Sequence, residues 1–509
     1  MHPSQGHRWV SWRLVRGPLS SIIAVLALAP MLSSCSLIHR AATRYGAADL
    51  EEIYDGSSAE PDLNPLILIH GFAGSTLVRN SDGAISWGAF FTEDSMLPSS
   101  PQGLRAIALD VGALPTPIEQ TDLVDIPDDS HAGDLLEVLR TDAKVAHINF
   151  EVYSALVQMV ERVGYGPCVK EPATLDVSSS SGPECFTFFY DWRQDNVGNA
   201  IRLGKFIEQA KQRVQIRRHQ TETASDRQQI KFDVIAHSMG GLLARYYLRF
   251  GARDVLSVSD PVITWEGAEK IARLVLISTP NFGAMKVLKE SMTGRRYPVV
   301  KFEPAMISTW VSVYQMFPRQ SHRLWFDESG YPAQIEIADA STWRQNRWGG
   351  FATGQDEYLQ WIFSDTRTPI ERQNRLEDFM RAALDRADRF TAALDKHPDT
   401  ESPIPLILFA ADAEPTLARA VVADRKGTLR LKFGVKKPDL KSPGDGSVTR
   451  ASALADERLA TGQGSPYSSP VQWSQTIFLA DRHRTLLSNP TFQNNLLRIL
   501  LQSEPSSEP

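Results

Sequence analysis

Ala236-His237-Ser238-Met239-Gly240 sets a serine between a β-forming run, Phe232-Asp-Val-Ile-Ala236, and an apolar stretch that reads as a helix from Met239 to Phe250, stopping at Gly251. A serine on so sharp a strand-to-helix turn lifts its hydroxyl above the end of the sheet, which is where a nucleophile for acyl transfer belongs. The turn is strained, so the residues two before and two after the serine must be small. Gly240 satisfies this, Ala236 stands where a glycine is usual, and Gly241 lets the helix approach the sheet closely.

A serine hydroxyl is a weak nucleophile at neutral pH and needs a base, itself oriented by a carboxylate, here in the chain order Ser, acid, His. His483 is the expected base, because it follows the last apolar strand, Thr476-Ile-Phe-Leu479, on a loop that can return over the sheet edge. His322 and His397 lie in an insertion, His131 and His147 precede the serine, and His237 reads as a shaper of the turn. Three acids compete: Asp412 at a strand end, Asp445 in Gly444-Asp445-Gly446, and Asp481 two residues from His483. Asp445 is preferred, because flanking glycines permit a tight, exposed turn from which a carboxylate can reach an imidazole; Asp412 has the simpler strand-end position and would otherwise cap a turn. Donors for the oxyanion are expected from the amides of Met239, just after the nucleophile, and Phe72, in His70-Gly71-Phe72-Ala73-Gly74-Ser75. Chemistry of this kind calls for no metal and no cofactor.

The elements that would hold these residues are short apolar runs with helical stretches between them. Leu66–Ile69, Phe186–Tyr190, Phe232–Ala236, Leu274–Ile277, Ile404–Phe409 and Thr476–Leu479 read as strands buried on both faces, and strands alternating with helices imply a mostly parallel, doubly wound α/β sheet. Helices are expected around Val152–Val163, after Asn196, over Met239–Phe250 and over Phe492–Leu501. Residues 75–148 read as an irregular excursion. Residues 285–400, with Trp310, Trp325, Trp343, Trp348 and Trp361, offer no strand for the main sheet and read as a lid, or as a cap with a small aromatic core of its own. The expected layout is a first part of the core over 63–284, the lid or cap over 285–400, and a second part of the core over 401–503.

The 509 residues carry 54 Lys and Arg against 60 Asp and Glu, a formal charge of -6, which provides no electrostatic footprint for nucleic acid. Arg8, Arg13 and Arg16 precede an apolar run, Ser21 to Leu32, short of the ~20 residues needed to span a bilayer comfortably; residues 1–34 therefore read as an export signal. Leu32-Ser33-Ser34-Cys35 resembles the bacterial lipoprotein box, so Cys35 is expected to carry the lipid, residues 35–62 to form a tether, and Ser36 to direct the chain to the outer membrane. A plain cleaved signal or an uncleaved anchor is the alternative. Cys168 and Cys185 remain, and export favours their pairing as a disulfide over two buried thiols.

Taken together, His70 to Ser75 with Trp87 downstream, Tyr190-Asp191-Trp192-Arg193, Ala236 to Gly241, Ser278-Thr279-Pro280-Asn281-Phe282-Gly283, Gly444 to Val448, and His483 ahead of Leu486 to Pro490 resemble the lecithin:cholesterol acyltransferase-like lipases and acyltransferases, in a bacterial, lipid-anchored form. The resemblance covers most of residues 63–503. It implies the α/β-hydrolase fold, a triad of Ser238, Asp445 and His483, and a mobile lid over an acyl-chain site. Tyr190 to Arg193 would be structural, with Trp192 lining the site at most. The expected activity is lipid ester hydrolysis or acyl transfer at a membrane surface reached through Cys35, with a lipid or ester as partner and no protein partner inferable. A non-catalytic lipid-binding protein on the same scaffold, or an amidase or peptidase, are the alternatives.

Overall fold

The computed structural model describes residues 63–501, apart from 91, 93–94, 97–99, 144–145, 163, 174–183, 222–229, 298–300, 435–438 and 463. Residues 1–62, with the expected signal, tether and Cys35, lie outside the described residues.

Among the described residues six strands form the central sheet: β1 (Leu66–Ile69), β2 (Cys185–Phe188), β3 (Phe232–His237), β4 (Ile271–Ile277), β5 (Leu406–Ala411) and β6 (Gln475–Leu479), in the order β6-β5-β4-β3-β1-β2. Every pairing is parallel. All residues of β1, β2, β3 and β5 are buried, as runs of Leu, Ile, Val and Phe must be when helices cover both faces. The chain steps outward from β1 to β2, then returns to the other side of β1 for β3. The strand order therefore reverses between β1 and β3, and an open α/β sheet binds its ligands in the crevice at the carboxyl ends of such a pair. Ile69, the last residue of β1, is in register with Ala236, two residues before Ser238.

Around the sheet lie α1 (Ser154–Arg162), α2 (Asn196–Thr221), α3 (Met239–Phe250), α4 (Met285–Thr293), α5 (Pro369–Asp395) and α6 (Pro490–Leu501). Every residue of α3 is buried. It can lie that close because its first turn is Gly240-Gly241: a Cβ on Gly240 would sit 2.2 Å from the His70 carbonyl oxygen, and one on Gly241 2.0 Å from Thr279 Oγ1.

The segment after β1 is more regular than its sequence suggests. Ser75–Arg79, Ile85–Trp87 and Ser130–Leu135 form one antiparallel sheet, and Ala89–Phe90, Val138–Ala143 and Ala146–Glu151 form a second three-stranded sheet. Strands such as Ser-His-Ala-Gly-Asp-Leu have no apolar alternation, so the expectation of an irregular excursion is corrected here. Cys168 and Cys185, at the start of β2, form a disulfide.

Among the described residues, 285–400 contribute no strand to the central sheet, but their core is continuous with that of the body. Trp310, Trp325, Trp343 and Trp348 are buried; Trp343 stacks on Phe317, and Trp310 packs edge-on at 5.1 Å from Trp192. The long helix α5 begins with Pro369 behind a Thr368/Glu371 capping box. The carbonyl of Leu394, in its last turn, accepts from Arg245 at 2.9 Å and Arg249 at 3.0 Å, both from α3. Trp325–Phe326 pairs with Ala420–Val421, the first strand of a hairpin over Ala420–Lys432, so the sheet joins residues on both sides of position 400.

Candidate active site

Ser238 sits at φ 55 and ψ -124, a backbone conformation that a residue with a side chain rarely adopts, held between β3 and α3. Its amide donates to the Ile277 carbonyl at 2.7 Å, which ties the turn to β4. Gly71 approaches so closely that a Cβ there would meet Ser238 Cβ at 2.7 Å. The glycine loop after β1 and the serine turn after β3 thus touch at the point where the strand order reverses.

His483 Nε2 lies 3.0 Å from Ser238 Oγ, and His483 Nδ1 lies 2.7 Å from Asp445 Oδ2. The His483 backbone N–H donates to the Asp445 carbonyl at 2.9 Å, so the histidine loop is fixed to the aspartate turn by main chain as well. Asp445 is 2 % exposed, and its Oδ1 accepts from the Ser447 and Val448 amides at 2.8 and 2.7 Å. Burial opposes its ionisation, yet the His483 ring and these two amides outweigh burial and hold the carboxyl below the usual aspartate range. The competing acids are engaged elsewhere. Asp412 accepts from Arg450 at 3.2 Å, while Asp481 accepts from Asn489 at 2.7 Å and from Thr485.

The Phe72 and Met239 amides find no protein acceptor among the described residues. The loop carrying Phe72 is pinned from outside: Trp87 Nε1 donates to the Ala73 carbonyl at 3.0 Å, and Ser75 Oγ donates to the Tyr190 carbonyl at 2.8 Å. His70 stacks on Tyr190 with ring centres 4.2 Å apart, its Nδ1 donating to the Gly71 carbonyl and its Nε2 accepting from the Tyr190 amide. Burial drives its pKa down to about 4, so the ring is neutral. Trp192 is wholly buried and meets Phe72 edge-on at 4.8 Å, one layer behind the cavity. Arg193 is fixed by Asp191 and Asp128 and donates to the Ala106 and Ile107 carbonyls, which accounts for Tyr190 to Arg193 as structure.

A cavity of about 200 Å³ opens over Ser238 and His483. Apolar side chains make most of its wall, with Leu136 and Val152 from the segment after β1, Val287 from α4, and Ile307, Trp310 and Met316 from the stretch that follows α4. Tyr153 also lines it and has no counterpart in the sequence reading. Its hydroxyl accepts from the Gly71 amide at 2.7 Å and lies 2.8 Å from His237 Nδ1. Lys286, Arg295 and Arg484 line it too; of the three, Arg484 alone carried a sequence signal, its place beside His483. Among the described residues no cluster of His, Cys, Asp and Glu is arranged to hold a metal ion.

Residues 139–348 match the family model of lecithin:cholesterol acyltransferase. Over that segment the chain is similar to that family. The matched segment carries Ser238 and ends before Asp445 and His483. A curated relative, lecithin-cholesterol acyltransferase-like 4 of Arabidopsis thaliana, is 29% identical over 199 residues. That match takes in 37% of this chain and 31% of the relative, so the chain spans about a third of the curated relative it matches. A solved structure of the Tle4-Tli4 complex contains a chain that superposes with a TM-score of 0.51 at 12% identity, over 87% of this chain and 100% of that one. At that identity the likeness is one of fold, and the fold is the α/β-hydrolase.

Proposed function

We propose that the protein is a serine-dependent lipid ester hydrolase or acyltransferase that works through an acyl-enzyme on Ser238. In this reading His483 takes the Ser238 proton as the hydroxyl attacks the ester carbonyl, and later returns it to the leaving alcohol. Asp445 holds the imidazole in the tautomer with its proton on Nδ1 and stabilises the imidazolium that forms. The Phe72 and Met239 amides receive the oxyanion. The observation that carries the reading is the unbroken hydrogen-bonded chain from Ser238 Oγ through both ring nitrogens of His483 to Asp445, at the floor of a mainly apolar cavity. The lecithin:cholesterol acyltransferase-like segment supports a lipid ester as the substrate. Hydrolysis and transfer share the acyl-enzyme and differ in whether water or an alcohol resolves it, so product analysis with and without an added sterol separates them. Lipid on Cys35 would hold the protein at a membrane, on the outer membrane by the Ser36 reading; Cys35→Ser should then move it from the membrane to the soluble fraction.

The test is Ser238→Ala. It should abolish both turnover of p-nitrophenyl butyrate and labelling by a fluorophosphonate probe, with the unfolding transition retained. Undiminished turnover in the folded variant would end the assignment.

A further inference from the structure

One part of the cavity is charged, and the chemistry above makes no use of it. Lys286 from the first turn of α4, Arg295 just after that helix and Arg484 beside His483 all line the space over Ser238. The Arg295 guanidinium lies 5.1 Å from the centre of the Phe72 ring and 4.9 Å from that of Tyr297, and the Arg484 guanidinium 5.5 Å from the same Tyr297 ring. Two guanidiniums therefore flank one phenol, next to the loop that carries Phe72. Lys286 Nζ donates to Ser447 Oγ at 2.9 Å. Burial lowers its affinity for a proton; Glu290 opposes this, and Arg295 and Arg484 reinforce it.

Acidic groups only partly offset these cations. Glu290 lies 3.4 Å from Arg295, and Glu151, exposed, lines the cavity from the segment after β1. Among the described residues Lys286 and Arg484 form no ion pair. Tyr297 is 7 % exposed, and its hydroxyl has no hydrogen-bond partner among the described residues. A buried donor without an acceptor is unfavourable, and a ligand acceptor would relieve it.

We propose that Lys286, Arg295, Arg484 and the Tyr297 hydroxyl form a subsite for an anionic headgroup on the alcohol side of a lipid ester, selecting lipids of net negative headgroup charge over zwitterionic and neutral ones. The subsite rests on the reading of the cavity as an ester site. The apolar walls hold the chain, the cations hold a phosphate or similarly charged group, and the ester lies between them over Ser238. Net attraction for anions is not the source of the preference, because the chain as a whole carries a formal charge of -6.

The experiment measures binding, so that it does not depend on turnover. Dodecyl phosphate, dodecyltrimethylammonium and dodecyl maltoside, each below its micelle concentration, are titrated calorimetrically into the full chain carrying Ser238→Ala. Dodecyl phosphate should bind at least about tenfold more tightly than the other two, as charge-assisted hydrogen bonds allow. Arg484→Gln and Lys286→Met should each cut that preference several-fold. Arg484 is exposed, so its variant carries the test even if Lys286→Met fails to fold. Equal binding of the three amphiphiles, or a preference that both folded variants keep, would overturn the subsite. Inorganic phosphate binding as tightly as dodecyl phosphate would also overturn it, by making this a site for a free anion. Failure of the ester reading shows separately, as absence of fluorophosphonate labelling on Ser238 in the unsubstituted protein.

Discussion

The Tyr153 hydroxyl lies 2.8 Å from His237 Nδ1 and also accepts the Gly71 amide proton at 2.7 Å. Because the oxygen already accepts from Gly71, it donates its own proton to Nδ1, which leaves the His237 proton on Nε2. One hydroxyl thus joins the residue before Phe72 to the residue before Ser238, fixing the glycine loop after β1 against the serine turn after β3. Burial, with the nearby His483 ring adding to it, draws the His237 pKa down to about 3, so no charge disturbs His483 from that side.

Tyr153→Phe removes that joint while keeping the ring. The loop would lose its alignment with the developing oxyanion more than its contact with ground-state ester, so kcat should fall about 10- to 100-fold with KM within about threefold. Steady-state kinetics on p-nitrophenyl butyrate check this. An unchanged kcat, or a loss confined to KM, would deny Tyr153 a positioning role.

The aspartates separate in the same assay. Asp445→Asn keeps the shape of the turn but leaves the His483 tautomer unspecified, and kcat should drop on the order of 10⁴-fold. Asp412→Asn removes only the partner of Arg450 and should leave kcat within about twofold. The reverse pattern would transfer the role to Asp412.

How far the sequence foretold this site depends on which interactions are local. Ser238 was legible because its strand, its turn and its helix are contiguous, and buried parallel strands announce themselves as unbroken apolar runs. His483 followed from chain order and from its place after the last strand. Tyr153 was not legible, since its partners Gly71 and His237 are 82 and 84 residues away and nothing in its neighbours marks it. Lys286, Arg295 and Arg484 meet only in the folded chain, the first two in or just after α4 and the third on the loop of His483. The hairpin over Ala420–Lys432 escaped for a local reason. Its turn uses Lys426 and Gly427, both at positive φ, and a lysine in that position is a weak turn signal.

Acid should destabilise the fold before it protonates the carboxylates. His70 and His237 have folded pKa values of about 4 and about 3, and His322, buried against Phe282 and away from the cavity, also about 3, all below the ordinary 6.5. Burial is the first cause in each. The unfolded chain therefore binds more protons, so the stability these rings confer is present above pH 6.5 and is lost as pH falls from 6.5 toward 4 and 3. Each ring should remove up to about 1.4 kcal/mol per pH unit in that window, and Asp445 adds to the loss only near its ordinary titration range, around pH 4. Urea unfolding at pH 7.5, 6.5 and 5.5 measures the slope. His322→Gln should reduce it by about a third, and a pH-independent transition across this range would contradict the neutral, buried state of the rings.

The departure at Ala236 can be set against the glycine at 240, because the turn treats its two small positions differently. Ala236 is wholly buried in β3, in register with Ile69, and its methyl is accommodated without displacing the neighbouring strand. Gly240 has no such room: an added Cβ would come 2.2 Å from the carbonyl oxygen of His70, at the root of the glycine loop. Relief would require α3 or that loop to move, and either motion shifts Ser238 or Phe72. Gly240→Ala should therefore cost at least about 2 kcal/mol of stability, in the upper range of overpacking, and lower kcat in the folded fraction by more than about tenfold. Ala236→Gly should leave kcat within about threefold and lower stability by about 1 kcal/mol, from the lost methyl and the added backbone freedom in a strand. Denaturant unfolding together with fluorophosphonate labelling rates reads both quantities on the same samples. If Gly240→Ala matched the unsubstituted protein in labelling rate, the close approach of helix and loop would not be what positions Ser238.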